Sequence, residues 1–209
     1  RAHAPAATAE AEAALLALGR DAFAGLAAED PEAVEFWWRR FAAFVPWFVG
    51  WDAERRALSA AVLVETDGSL PLDLAQGHCL TLSTRADRME RRRDGQLAIL
   101  DYKTGTPPGV NEVLTGLNPQ LTLTAALAAR GAFPALPAGA GPTAALLGYL
   151  RVAGPRGEGL ERSIVSKKEP LAEVIERQFA ALVTHLDEYL NGLRGFASHR
   201  RPRKSAYRS

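Results

Sequence analysis

Residues 84–105 read TRADRMERRRDGQLAILDYKTG. A polar–apolar run meets a basic turn, and an apolar run then leads straight into Asp101, Tyr102 and Lys103. The pattern predicts two antiparallel strands joined by a hairpin. Alternation along the second strand places Asp101 and Lys103 on one face, above Leu97 and Ile99. What stands opposite Asp101 depends on the turn. A two-residue Asp94-Gly95 turn pairs residue 88 with 101 and sends Asp87 to the other face. A three-residue loop, Arg93-Asp94-Gly95 with Gly95 left-handed, pairs 92 with 96 and 87 with 101. The second register is expected, and directly opposite residues have β-carbons about 5 Å apart. Two carboxylates and a lysine then share one point.

Adjacent carboxylates repel and raise one another's pKa unless a cation lies between them. A hard divalent ion suits that position. Mg²⁺ takes oxygen ligands, keeps several waters, and accepts one or two carboxylates together with substrate phosphate oxygens. Mn²⁺ can substitute for it. The Tyr102 backbone carbonyl offers a further oxygen beside Asp87 and Asp101. Lys103 is placed to orient or deprotonate the attacking water, or to stabilise charge developing on phosphorus. Gln120, just inside the first turn of the next predicted helix, stands close by in sequence. An isolated Asp-x-Lys at a strand end is commonly a solvated edge; the aligned Asp87 and the following Gln120 set this one apart.

Working outward, residues 9–28 form an amphipathic helix, and a second runs from about Pro31 to Arg56, kinked or split at Pro46. Its aromatic stripe, from Phe36 to Trp51, is expected to be core packing rather than a base-stacking surface. AAVLVETDGSLPL reads as strand, Asp67-Gly68 turn and short strand. HCLTLSTRADRMER is a long strand that buries Cys79. Asn118 caps a helix over 119–130 with Pro119 in its first turn. PALPAGAGPT is a loop, AALLGYLRV a buried strand, LERSIV its short partner, and 170–194 a final helix. The expected architecture is α/β: a mixed β-sheet flanked by helices, with a helical region over 1–58, a core over 59–195 and a basic tail over 196–209.

The motif block from residue 84 to about 121, TRADRMERRRDGQLAILDYKTGTPP followed by NPQL, resembles the RecB-like branch of the PD-(D/E)XK nucleases. More narrowly, it is similar to the C-terminal nuclease domains of AddB-type subunits of bacterial AddAB helicase–nucleases. The resemblance implies a restriction-endonuclease-like core. It implies metal ligation by Asp87, Asp101 and the Tyr102 carbonyl, catalysis by Lys103, and placement of the scissile strand by Gln120. It further implies DNA as substrate, delivered as single strands from unwound duplex ends, an AddA-type helicase–nuclease partner, and a role in double-strand-break repair.

Three departures accompany the resemblance. Relatives carry a histidine ligand on an upstream helix, and His3, His78, His185 and His199 are all out of place for it. Thr124 stands where many relatives have a tyrosine. Cys79 is the single cysteine, so no iron–sulfur cluster forms within this chain. The chain begins RAHAPAATAE without a Met and ends RPRKSAYRS, as expected of a piece of a longer polypeptide. Glu65 is a weaker candidate for the metal, against an ordinary arginine pairing. Arg88 should face away from Asp87 into a structural ion pair. Arg91, Arg92 and Arg93 could meet a phosphate backbone or simply be solvated.

Composition narrows the partners. A formal net charge of +1 in 209 residues excludes a DNA-coating domain, so nucleic-acid contact must be local. One cysteine excludes a disulfide framework or zinc ribbon and fits a reducing cytoplasm. No run of 18 apolar residues offers a membrane span. The alternatives are a scaffold module that keeps the nuclease fold without turnover, a stand-alone nuclease, and an accidental Asp-Tyr-Lys. The last predicts Asp87 and Asp101 on different faces.

Overall fold

The computed structural model describes residues 6–26, 30–136, 144–152 and 158–195. Two helices, α1 (Ala6–Ala24) and α2 (Pro31–Leu58), precede a five-stranded sheet in the order β1 (Ser59–Asp73), β2 (Cys79–Arg92), β3 (Leu97–Lys103), β4 (Ala144–Arg151) and β5 (Leu160–Ser163). β3 and β4 are parallel and the other neighbours antiparallel. A parallel pair needs a crossover. It contains α3 (Val110–Leu114) and α4 (Gln120–Ala129), and α5 (Leu171–Leu190) packs beside α4. This is the expected mixed sheet flanked by helices.

The turn decides the register as anticipated. Arg92 N–H donates to the Gln96 carbonyl at 2.8 Å, Gly95 has φ +83°, and Arg88 pairs with Leu100. One step further along that ladder, Asp87 stands opposite Asp101. The core lies on the α4/α5 side of the sheet, where Met89, Leu97, Ile99, Leu147 and Tyr149 meet Leu121, Ala125, Ile175 and Phe179.

Several sequence expectations are corrected. Pro46 lies inside α2 without splitting it, exposed while its neighbours Val45 and Val49 are buried. The aromatic stripe divides: Phe44 is buried, whereas Phe36 and Trp37 are exposed. Asp67-Gly68 is no turn, since β1 runs through it and Gly68 pairs with Thr84. Glycine serves there for close approach instead, as a β-carbon would lie 2.6 Å from the Phe133 ring. Cys79 is exposed, because the first half of β2 pairs only with β1 and extends past the core. Asn118 gives no side-chain cap to α4; its Oδ1 instead accepts from the Tyr149 hydroxyl at 3.3 Å. The short α3 went unforeseen. The basic tail, His3 and His199 lie outside the described residues.

Candidate active site

β3 brings Asp101 and Lys103 to one end of the sheet on the core-facing side, and the three-residue turn brings Asp87 beside them. Tyr102 N–H donates to Asp87 Oδ2 at 2.8 Å, so the Asp87 carboxylate closes the ladder where backbone pairing stops. Gln120 opens α4 and donates through Nε2 to Asp101 Oδ1 at 2.6 Å. Lys103 Nζ lies 2.7 Å from Asp101 Oδ2 and 3.2 Å from Gln120 Oε1. The four expected side chains are therefore together, and the accidental reading, with Asp87 and Asp101 on different faces, is excluded.

The electrostatics are unbalanced. Asp101 is 5 % exposed. Burial pushes its carboxyl above the ordinary aspartate value and the nearby Asp87 charge adds to this, while Lys103 and Gln120 pull the other way. Two carboxylates face one ammonium. Asp101 Oδ2 is buried without an aligned hydrogen bond, despite the nearby Lys103 amine. The Lys103 carbonyl accepts from Val152 on the β4 side. By strand alternation the Tyr102 carbonyl therefore points the other way, sharing the Asp87 side with its own N–H. Uncompensated charge and a buried lone pair, with the Tyr102 carbonyl on the Asp87 side, fit a hard cation that completes its shell with water and phosphate oxygens. Among the described residues no group of three His, Cys, Asp or Glu side chains converges as a metal site. His78 precedes the distal end of β2, and His185 pairs with Glu188 on α5.

Other candidates sort themselves by geometry. Glu65 falls level with Asp87 between the pairs Val64–Arg88 and Thr66–Ala86. Its left-handed φ of +48° breaks the alternation, and its carboxylate pairs with exposed Arg85 at 3.0 Å. Arg88 faces away from Asp87, as expected, into a buried ion pair. Arg92 lies 3.5 Å from Asp94, and Arg93 donates to the Ala57 carbonyl. Thr124 is buried and donates to the Gln120 carbonyl at 2.8 Å, so it supports the start of α4 rather than facing a ligand.

Sequence reasoning missed Tyr149. It sits beside Asp101 in the parallel register, its ring 5.6 Å from Lys103 Nζ. Burial and the Asp101 charge push its hydroxyl up to about 12, so it stays a neutral floor to the site. The signal was available: one tyrosine among the aliphatic residues of LLGYL, 146–150.

The profile of the PD-(D/E)XK nuclease superfamily matches residues 1–204. The chain belongs to that superfamily. Its members generally use divalent metal ions, as the donor set here would suit. Relatives include uncharacterized proteins of Rickettsia felis, 39% identical over 87 residues, and of Rickettsia conorii, 38% identical over 87 residues; each match covers 42% of this chain and 10% of the relative. The match thus spans about one tenth of the length of these curated relatives. A solved structure, that of SSO0001, aligns over 79% of this chain and 70% of its own with a TM-score of 0.37 and 13% identity. No described helix of this superfamily member is long and apolar enough to cross a membrane.

Proposed function

We propose that this domain hydrolyses DNA phosphodiesters with Mg²⁺ and is the nuclease module of an AddB-type subunit, acting in the cytoplasm with an AddA-type helicase–nuclease during double-strand-break repair. What supports the reading is the convergence of Asp87 and Asp101 with Lys103 and Gln120 at one end of the sheet. In this reading Asp87, Asp101 and the Tyr102 carbonyl hold the ion. Bound there, Mg²⁺ would polarise the phosphoryl group and make water a better nucleophile at neutral pH. Lys103 orients the attacking water and steadies charge on the phosphoryl oxygens. The water oxygen bonds to phosphorus as the P–O ester bond breaks; one proton leaves the water and the departing oxygen gains one. Gln120 holds the scissile strand against Asp101, and Tyr149 keeps water from beneath Lys103.

The test is Mg²⁺-dependent degradation of linear DNA by the full-length protein with its helicase partner, comparing wild type with Asp101→Ala and Lys103→Ala. Both substitutions are expected to abolish cutting of one strand while unwinding persists. Unchanged cutting would favour a scaffold that keeps the fold without turnover. The observation behind that alternative is the count of two carboxylates, with no histidine beside them among the described residues.

A further inference from the structure

A strand shows its side chains to its two faces in turn, so residues two apart share a face. β1 and β2 keep this rule above and below one level and break it there. Arg88 and Glu90 point to α2: Arg88 reaches Asp52 at 2.7 Å and lies 5.0 Å from the Trp51 ring, and Glu90 accepts from Arg55 Nε at 2.8 Å. Ala86, two residues before Arg88, belongs instead to the core on the α4 side. Thr84 Oγ1 meets Thr124 of α4 at 3.4 Å, and Leu82 packs on the same core. β1 does likewise. Leu63, opposite Met89, packs on the α4 side, and so do Leu70 and Leu72. The two strands therefore exchange faces together between the pairs Val64–Arg88 and Thr66–Ala86, with no residue inserted in either.

The turning points are Glu65 and Asp87. Glu65 has φ +48°, which among the described non-glycine residues only Gln76 shares in sign. Such backbone is uncommon outside glycine and clusters at functional sites. The Glu65 side chain is exposed, and its carboxylate pairs outward with Arg85 at 3.0 Å. The same level is where β2 parts from β3. The backbone ladder between them ends at Arg88–Leu100, and Asp87 Oδ2 accepts the Tyr102 N–H in its place. Uninterrupted alternation would have two effects. Ala86, Thr84 and Leu82 would turn out of the core. Arg85 would move to the face of Asp87 and bring a guanidinium to the two carboxylates, cancelling the charge deficit that suits a cation.

We propose that Glu65 is a positioning residue: its left-handed backbone turns β1 and β2 over at the level of Asp87, which aims the Asp87 carboxylate at the Tyr102 edge of β3 and keeps Arg85 outside the site. The pairing with Arg85 holds that arginine on the far side. The role belongs to the Glu65 backbone and not to metal ligation by its carboxylate. The inference rests on the nuclease reading of Asp87 and Asp101.

The experiment is titration of the full-length protein with Mn²⁺, followed by electron paramagnetic resonance. The site of interest is the one lost in Asp101→Ala. Glu65→Val puts a β-branched residue where a positive φ is a true outlier. It is expected to weaken that site about tenfold or more, as disturbing the support of a metal ligand does. It should lower kcat with little change in KM for DNA. Glu65→Gly deletes the same carboxylate yet takes a positive φ freely, and should hold the affinity within about twofold. Gly68→Ala is the control for lost stability: on the same strand, it crowds Phe133 and should leave Mn²⁺ affinity unchanged. Wild-type affinity in folded Glu65→Val would overturn the inference and leave the nuclease reading intact. A loss in Glu65→Gly as large as in Glu65→Val would also overturn it, by making the carboxylate itself a ligand. Absence of any Asp101-dependent Mn²⁺ site in wild type would overturn both. Should Glu65→Val fail to fold, Glu65→Ala replaces it. It keeps a β-carbon at positive φ without the Arg85 bond and should bind Mn²⁺ more weakly than Glu65→Gly; equal binding would overturn the inference.

Discussion

The two faces of β2 and β3 carry polar clusters made from alternate residues of the same short stretches, yet their electrostatics differ in kind. On the α2 face, Arg88 and Glu90 join Asp52, Arg55, Arg56 and Glu161 in a charge-balanced set of close ion pairs. On the core-facing side, Asp87 and Asp101 meet only Lys103. Buried atoms without an aligned bond occur on both faces, Asp101 Oδ2 on this one and Asp52 Oδ1, Arg55 Nη2 and Arg88 Nη2 on the other, so the charge count is what separates them. A buried cluster whose charges balance holds structure. One left a positive charge short is suited to receive a cation. Neighbouring residues can therefore serve opposite ends, and the charge count on each face tells them apart better than the presence of charge does.

The largest effect expected from unbalancing the closed face is on stability. Glu90→Gln leaves the Arg55 and Arg88 guanidinium groups short of their shared carboxylate. Breaking a buried pair from one side costs about 3–5 kcal/mol. Chemical denaturation should show that loss, whereas a cost under about 1 kcal/mol would mean that water already screens the cluster. Gly68→Ala probes the hydrophobic core that Phe133 shares with α4: a β-carbon 2.6 Å from the buried Phe133 ring should cost about 1–3 kcal/mol by overpacking. No loss would mean that Phe133 can shift aside.

Those two sites also show what the sequence could and could not disclose. Arg93-Asp94-Gly95 was legible because a three-residue turn with a left-handed glycine fixes a register, and the register alone places Asp87 against Asp101. Lys103 and Gln120 followed from alternation and from the resemblance. Gly68 was misread because a glycine needed for close approach looks the same, in sequence, as one needed for a turn. Cys79 was misread because a strand does not announce how far it projects past its core. That Arg88 faces away was predictable from alternation. Its surroundings were not: Trp51, Asp52 and Arg55 come from α2 and Glu161 from β5, and no local pattern links residues so far apart in the chain.

The open face should respond in the opposite sense. Asp101→Asn removes a buried charge that burial disfavours, so the metal-free protein should gain about 0.5–2 kcal/mol while losing nuclease activity. The pH dependence follows from the same cause. Because folding raises the Asp101 carboxyl above its unfolded value, this residue favours the fold while protonated, and its contribution turns unfavourable as pH rises through the folded value. Metal-free wild type should lose that increment between acid and neutral pH, and Asp101→Asn should not. Equal pH profiles for the two proteins would contradict the assignment.

The smallest effect belongs to the surface. Glu176 is paired with Arg130 at 2.6 Å, a bond that holds its carboxyl below the ordinary glutamate value. Its contribution is present above that ordinary value and is lost as pH falls through the lowered one. With the Glu176 side chain more than half exposed, the pair should be worth about 0.2–1 kcal/mol to Glu176→Gln and fade in high salt. A larger, salt-insensitive loss would place Arg130, which also stacks 3.8 Å over Phe179, in the packing of α4 on α5.

The most direct measurement is thermal melting of wild type and Asp101→Asn, each with and without Mg²⁺. The wild type should start lower than the variant and rise on adding Mg²⁺, as an ion that binds only the folded state requires. The variant should start higher and stay put. A wild type indifferent to Mg²⁺, or a variant less stable than wild type in its absence, would contradict the view that Asp87 and Asp101 form a site a positive charge short.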